Sequence, residues 1–319
     1  MTTPRLLGDI GATNARFALL FPGRSMPSEL AVLRCRDHAS LLDAICSYLA
    51  RHTLVAPRSG ALGIATEVVA DRVTMTNHPW SFSIRELRSA LALERLVVIN
   101  DFTALALALP LLKDSDLRAI GRGQARPGGA VALIGPGTGL GVSGLVPHGA
   151  AMVPLTSQGG HVTLTAADEA EEAVIAKLRQ RFGHASAERA LSGPGLVNLY
   201  RACCEVAGRT PQELEPDQVT RLALSDQDPM CRRAVEMFFA LLGGAAGNLA
   251  LTLGALGGVY IGGGIVPRLG SMIEHSQFRA RFEAKGRYAN YLREIPTWVI
   301  EADFPPALLG AARALELAD

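Results

Sequence analysis

The sequence predicts an α/β protein in two domains, and three observations carry that prediction. Strand-like runs alternate with helix-like stretches along the chain. At 319 residues the chain is about twice the commonest domain size. A pattern of apolar strand, glycine-threonine turn and second strand occurs near the N-terminus and again past residue 130, as a duplicated domain would show.

Taken in order, Leu6–Ile10 and Ala15–Leu20 read as two strands joined by the turn Gly11-Ala12-Thr13-Asn14, hence a hairpin. Leu41, Leu42, Ile45 and Leu49 fall at helical spacing and predict a helix over 40–51, and Gly60–Ala65 follows as a strand. The strand Arg95–Asn100 ends at the polar pair Asn100-Asp101, before an apolar helix expected over 103–112. Polar residues at a strand's carboxyl end are where α/β sites form. The Gly-, Arg- and Pro-rich stretch 121–129 reads as a loop, with a domain boundary near Leu111. The domains expected are therefore 1–111, small, and 112–306, large, with a last helix within 307–319 packing back on the first.

In the second half, Ala130–Ile134 and Val142–Val146 are strands around the turn Gly135–Gly141. Helices are expected over 168–182, 195–207, 216–224 and 231–253, then a strand over 257–261 that leads into Gly262-Gly263-Gly264. The segment 237–267 has no charged residue and exceeds the ~20 residues that cross a bilayer. Its many glycines and its lack of flanking aromatic anchors favour a buried helix followed by a buried strand, and no membrane association is expected.

Composition narrows the function classes. Hydrophobic residues make up 49% and charged residues 19%, the balance of a chain that folds. A net charge of +1 offers no field for nucleic acid, so any phosphate must be held locally. The five cysteines contain no C-x-x-C pair, which argues against a disulfide framework and for a reducing cytoplasm. The N-terminal apolar run is broken by Asp9 and does not read as an export signal.

Three glycine sites could carry chemistry. In Gly8-Asp9-Ile10-Gly11-Ala12-Thr13-Asn14, turn amides can surround phosphate oxygens, Thr13 can donate a further bond, and Asp9 is placed to hold Mg2+ through water. An ordinary hairpin turn is the alternative. The second turn, with Thr138 and Gly139, offers another phosphate grip, and neither has P-loop spacing. The triplet containing Gly263 and Gly264 lets a flat adenine or ribose lie on backbone, or else serves close packing.

Together these sites resemble the sugar kinase, Hsp70 and actin superfamily. More narrowly, Asn100-Asp101-Phe102-Thr103-Ala104, Ser157-Gln158-Gly159-Gly160-His161, Ser186-Ala187-Glu188-Arg189 and the run from Ser192 to Arg201 resemble the bacterial glucokinase family. So do Met75-Thr76-Asn77-His78, Gly247-Asn248-Leu249-Ala250-Leu251 and Gly264-Ile265-Val266-Pro267-Arg268, in order along nearly the whole chain. The resemblance implies two duplicated actin-like (ribonuclease H-like) domains with a central cleft, ATP and Mg2+, a homodimer, and transfer of phosphate to the 6-hydroxyl of glucose.

By the same resemblance Asp101 is the catalytic base, and Asn100, Asp101, Gln158, His161 and Glu188 bind the sugar. Gly8, Asp9, Ile10, Gly11, Ala12, Thr13, Asn14, Thr138, Gly139, Gly263 and Gly264 hold the nucleotide, with Asp9 toward the metal. Asp101 could also cap the helix that follows it. Cys203, Cys204 and Cys231 lack the C-x-C spacing of a related zinc-binding family, so no zinc site is expected.

Three positions depart from the family. Gln158 replaces a glutamate, and Thr66-Glu67 replaces a small residue and proline. Ala12 replaces a glycine, where a methyl group would disfavour a positive φ. A glucokinase, a kinase for another hexose or amino sugar, and a sugar-binding regulator all fit. A DNA-binding repressor does not, because the first strand begins near Arg5 and leaves no room ahead of it for a helix-turn-helix.

Overall fold

The structure, a computed structural model, describes residues 3–53, 55–149 and 151–317. The last two residues of the expected 307–319 segment lie outside the described residues. The chain divides into two compact units, Met1–Lys113 with Ala302–Asp319, and Asp114–Glu301.

The first unit holds β1 (Arg5–Ile10), β2 (Asn14–Leu20), β3 (Ser28–Arg34), α1 (Leu41–His52), β4 (Ser59–Ile64), β5 (Arg72–Thr74), β6 (Ser81–Ser83), α2 (Ile84–Ala90), β7 (Arg95–Asn100) and α3 (Asp101–Ala108). Its main sheet runs β3-β2-β1-β4-β7, antiparallel across the first three strands and parallel from β1 to β7. Parallel register aligns Ile10, Ile64 and Asn100, so the turn after β1, the Thr66 segment and Asp101 all emerge at one carboxyl end. One face of this sheet packs on α1 through Phe17, Leu41, Ile45 and Tyr48.

The second unit holds β8 (Leu117–Ile120), β9 (Val131–Pro136), β10 (Leu140–His148), β11 (Ala151–Pro154), α4 (Glu169–Phe182), α5 (Gly193–Val206), α6 (Pro216–Leu224), α7 (Pro229–Leu253), β12 (Val259–Ile261), α8 (Ile265–Arg268), α9 (Phe278–Glu283), α10 (Ala289–Arg293) and β13 (Thr297–Ile300). Its sheet runs β11-β10-β9-β12-β13-β8, and the first five strands repeat the directions of the first unit's sheet. The duplicated α/β fold expected from the sequence is present. The chain ends in α11 (Pro306–Leu317), whose Leu308, Ala311, Ala312 and Leu315 bury against Leu7, Ala18 and Ala61 of the first unit.

Several boundaries differ from expectation for identifiable reasons. The helix expected from Thr103 begins at Asp101, because Asn100 and not Asp101 is the cap: its Oδ1 accepts from the amides of Phe102 and Thr103. That helix gives way to a 3-10 turn at Leu109–Leu111, around Pro110. The strand expected from Gly257 starts at Val259, since Gly258 sits at φ +110 in a turn. The glycine-rich α7 is long and apolar enough to cross a bilayer, and two thirds of its most apolar window, 67%, is buried within the fold.

Candidate functional site

In the first unit the site is assembled where β1, β4 and β7 end. The turn after β1 closes on itself through the Gly11 amide donating to the Asn14 carbonyl at 2.9 Å. Cys35 braces it from below, its amide donating to the Thr13 carbonyl at 2.9 Å and its thiol to the Gly11 carbonyl at 3.3 Å. Thr13 is exposed at the tip while Gly8 and Ile10 are buried in the strand beneath. Positive φ at non-glycine residues occurs, among the described residues, only at Glu29, Ala92 and Asp226. Ala12 therefore sits in ordinary backbone, and the strain expected of its methyl group does not arise.

Asp9 and Asp101 form the acidic centre of this half. Asp9 Oδ2 accepts from Arg16 on the neighbouring strand at 3.0 Å. Burial raises the Asp9 pKa, and the Arg16 charge opposes that rise. Asp101 is pushed up to about 6, first by burial and then by the charge of Asp9. Its Oδ1 accepts from the Phe102 amide at 2.9 Å and from Asn100 Nδ2 at 3.0 Å. Both bonds fall on Oδ1, so Oδ2 is the oxygen available to an incoming hydroxyl.

Asn100 is fixed at both ends. Its Oδ1 caps α3, and its Nδ2 donates to the Thr66 carbonyl at 3.2 Å as well as to Asp101. Thr66 is held in turn by its hydroxyl, which donates to the Thr74 carbonyl at 3.1 Å and pairs with the Thr76 hydroxyl at 3.0 Å. The Thr66 hydroxyl thus ties down the segment whose backbone carbonyl receives Asn100.

In the second unit the turn between β9 and β10 closes through the Gly137 amide to the Gly139 carbonyl at 2.8 Å. Thr138 is exposed at its tip. Glu188 Oε2 accepts from the Leu140 amide at 2.9 Å, and a side chain at Gly139 would place its Cβ 2.5 Å from the same oxygen. Glu188 Oε1 lies 4.0 Å from His161 Nδ1. Gln158 is exposed at the head of the 3-10 turn Gly159–His161, so this unit gathers Gln158, His161 and Glu188 on loops beside the glycine turn.

The two glycines of the third motif have separate circumstances. Gly263 adopts φ +77, and a Cβ there would collide with the Pro136 carbonyl, so packing against β9 requires it. Gly264 precedes α8 and has open space, with only the Arg268 guanidinium near 4 Å. A cavity of about 390 Å³ also lies in this unit, lined by α7 residues such as Leu241 and Ala245 and by Val162. None of the candidate nucleotide or sugar side chains lines it.

The donor set suits a hydrated magnesium ion. Mg2+ is commonly bound through one or two carboxylates, waters and substrate phosphate. Asp9 fits that pattern: one carboxylate oxygen is taken by Arg16, and among the described residues nothing hydrogen-bonds to the other. Sequence reasoning missed Arg16, Cys35 and Thr66 as supports. Arg16, next to the glycine-threonine turn and of opposite sign to Asp9, was the one signal that could have been read.

Comparison with known proteins accords with this geometry. The glucokinase family profile matches residues 6–318. A glucokinase of Aromatoleum aromaticum is 55% identical over 316 residues, covering 99% of this chain and 95% of that protein. The crystal structure of a glucokinase from an Antarctic psychrotroph superposes with a TM-score of 0.88 at 37% identity, covering 99% of this chain and all of that one (100%). A ROK family glucokinase from Streptomyces griseus, solved with glucose and AMPPNP, has the same fold at a TM-score of 0.67 and 16% identity, over 98% of this chain and 99% of its own. A profile match over nearly the full length and a relative above half identity establish that the chain belongs to the glucokinase family.

Proposed function

We propose that this chain transfers the γ-phosphoryl group of ATP to the 6-hydroxyl of glucose, with Asp101 as general base. The observation that carries this reading is Asp101 itself, at a strand end, with Oδ1 fixed by Asn100 and Phe102 and its pKa raised to about 6. A base with a pKa just below neutral is ionised at working pH yet still takes a proton readily. Oδ2 accepts the hydroxyl proton as that oxygen attacks the phosphorus in line, and ADP leaves with the bridging oxygen. Asn100 orients the carboxylate through the bond from its Nδ2.

The amides of Gly11, Ala12, Thr13 and Asn14, the Thr13 hydroxyl, Thr138 and Gly139 serve the phosphates, and Gly263 and Gly264 the nucleoside. Asp9 would hold a magnesium ion through water, and that ion would neutralise charge on the phosphates. Asn100, Asp101, Gln158, His161 and Glu188 satisfy the sugar hydroxyls, which need paired donors and acceptors.

A second reading, a kinase for another hexose or an amino sugar, is supported by Gln158. An amide there both donates and accepts, and lacks the charge that strengthens acceptance from hydroxyls. Measuring ADP release across glucose, mannose, fructose, galactose, glucosamine and N-acetylmannosamine decides between the two. The first reading expects the highest kcat/KM on glucose and a sugar 6-phosphate product. ADP release that no sugar stimulates would overturn both. We also place the chain in a reducing cytoplasm, consistent with its five free cysteines, and as a homodimer, testable by light scattering.

A further inference from the structure

The second unit ties its glycine turn to its sugar-side loops through one carboxylate. Glu188 stands in the 3-10 turn Ala187–Arg189, with a third of its side chain, 32%, exposed. One of its oxygens, Oε2, receives the Leu140 amide at 2.9 Å and fills the place where Gly139 lacks a side chain. The other, Oε1, points to the His161 side at 4.0 Å from Nδ1.

The surrounding backbone makes this an organised junction. The Ala187 amide donates to the Val162 carbonyl at 2.9 Å, joining the Glu188 turn to the loop that carries His161. A Cβ at Gly160 would strike the Leu140 carbonyl, so that loop rests on the end of the glycine turn. Ser192, which caps α5, donates its hydroxyl to the Glu188 carbonyl at 2.8 Å, and the next amide, Gly193, donates to the Gly137 carbonyl at 2.8 Å. Among these links, the only side-chain acceptor on the turn's own amides is Glu188.

We propose that Glu188 is a positioning residue for the nucleotide's phosphates as well as a sugar ligand, holding the Gly137–Leu140 turn through Oε2 and thereby coupling sugar and nucleotide binding. The inference rests on the proposed phosphoryl transfer from ATP. Its mechanism is reciprocal. A hydroxyl that engages Oε1 fixes the carboxylate and so orders the turn, and phosphates that order the turn fix the carboxylate for the sugar.

The test is the affinity for ADP without sugar, by calorimetry, in the wild type, Glu188→Gln, His161→Asn and Gly139→Ala. Replacing the carboxylate by an amide weakens the bond to Leu140, and ADP affinity is expected to fall about five- to tenfold, the difference between a charge-assisted and a neutral hydrogen bond. His161→Asn is expected to raise the glucose KM while leaving the ADP affinity unchanged. Gly139→Ala forces its methyl group against Oε2 and is expected to raise the glucose KM several-fold, although residue 139 serves the nucleotide. Unchanged ADP affinity in Glu188→Gln, or an unchanged glucose KM in Gly139→Ala, would overturn the inference. Should Glu188→Gln fail to fold, Gly139→Ala decides alone. A wild type that binds no ADP would instead remove the proposed function on which the inference stands.

Discussion

The two glycine turns occupy equivalent places in duplicated sheets but are held by different chemistry. After β1, the turn is braced almost entirely by backbone, through the Gly11–Asn14 bond and the Cys35 amide, with one weak thiol bond added. After β9, comparable backbone bonds, Gly137 to the Gly139 carbonyl and Gly193 to the Gly137 carbonyl, are joined by a charged side chain, Glu188, on the Leu140 amide. The difference follows from where the ionisable groups lie. The first unit already concentrates Asp9 and Asp101, and the Asp9 charge raises the pKa of Asp101, so a further negative charge there would be costly. Among the described residues the second has no such pair at its turn, and a carboxylate, Glu188, lies against its Leu140 amide. The two copies share their strand geometry, while the carboxylate raised to about 6, the proposed base, lies in one of them.

The largest effect should come from the chemistry of the first copy. Asp101→Ala is expected to lower kcat by about 10²- to 10⁴-fold, the usual contribution of a general base, while glucose binding stays measurable. Retained activity would remove Asp101 from its role and leave the two units chemically alike. Next is a stability effect confined to the same copy. A carboxylate whose pKa is raised on folding, here from 3.8 to about 6, destabilises the folded state above pH 6, and that cost vanishes below about pH 4. Asp101→Asn is therefore expected to stabilise the protein at pH 7 by on the order of 2 kcal/mol, discounted for partial exposure, with the gain shrinking from pH 6 to pH 4. Equal melting temperatures at pH 7 would show that the carboxylate carries no burial cost.

A smaller change is expected in the second copy. Gln158→Glu restores charge-assisted acceptance and is expected to tighten glucose binding about fivefold, roughly 1 kcal/mol. A weaker dissociation constant by calorimetry would indicate that the amide is matched to a different sugar. The smallest effect is expected at Cys35→Ala, since the bracing amide remains. The ATP KM should change by less than about threefold, the scale of one weak neutral hydrogen bond. A change larger than that of Glu188→Gln would erase the contrast between the two braces.

Much of this architecture was legible because it rests on local signals. The strands around both turns, α1, α6 and α7 carry apolar runs or helical spacing bounded by caps such as Ser40 and Asp228. The missed strands lack such signals. Ser28–Arg34 is an edge strand with mostly exposed side chains, and the strands Arg72–Thr74, Ser81–Ser83 and Thr297–Ile300 are too short to show a period. The candidate site residues lie in short motifs at strand ends and turns, so their identities could be read. Most of their supporting contacts could not, because Cys35, Thr66 and, in its contact with the second turn, Glu188 reach the turns or Asn100 across 24, 34 and 48 residues of sequence.

The central claim is that Asp101, raised by burial and by Asp9, takes the sugar's proton. The direct measurement is the pH dependence of kcat/KM for glucose between pH 5 and 8, which reports the essential groups of the free enzyme. With a base at about 6, kcat/KM should be level above pH 7 and fall tenfold per unit once pH drops well below 6. In Asp101→Asn the residual rate should lose that fall. A flat wild-type profile across the range, or the same fall in Asp101→Asn, would contradict the account.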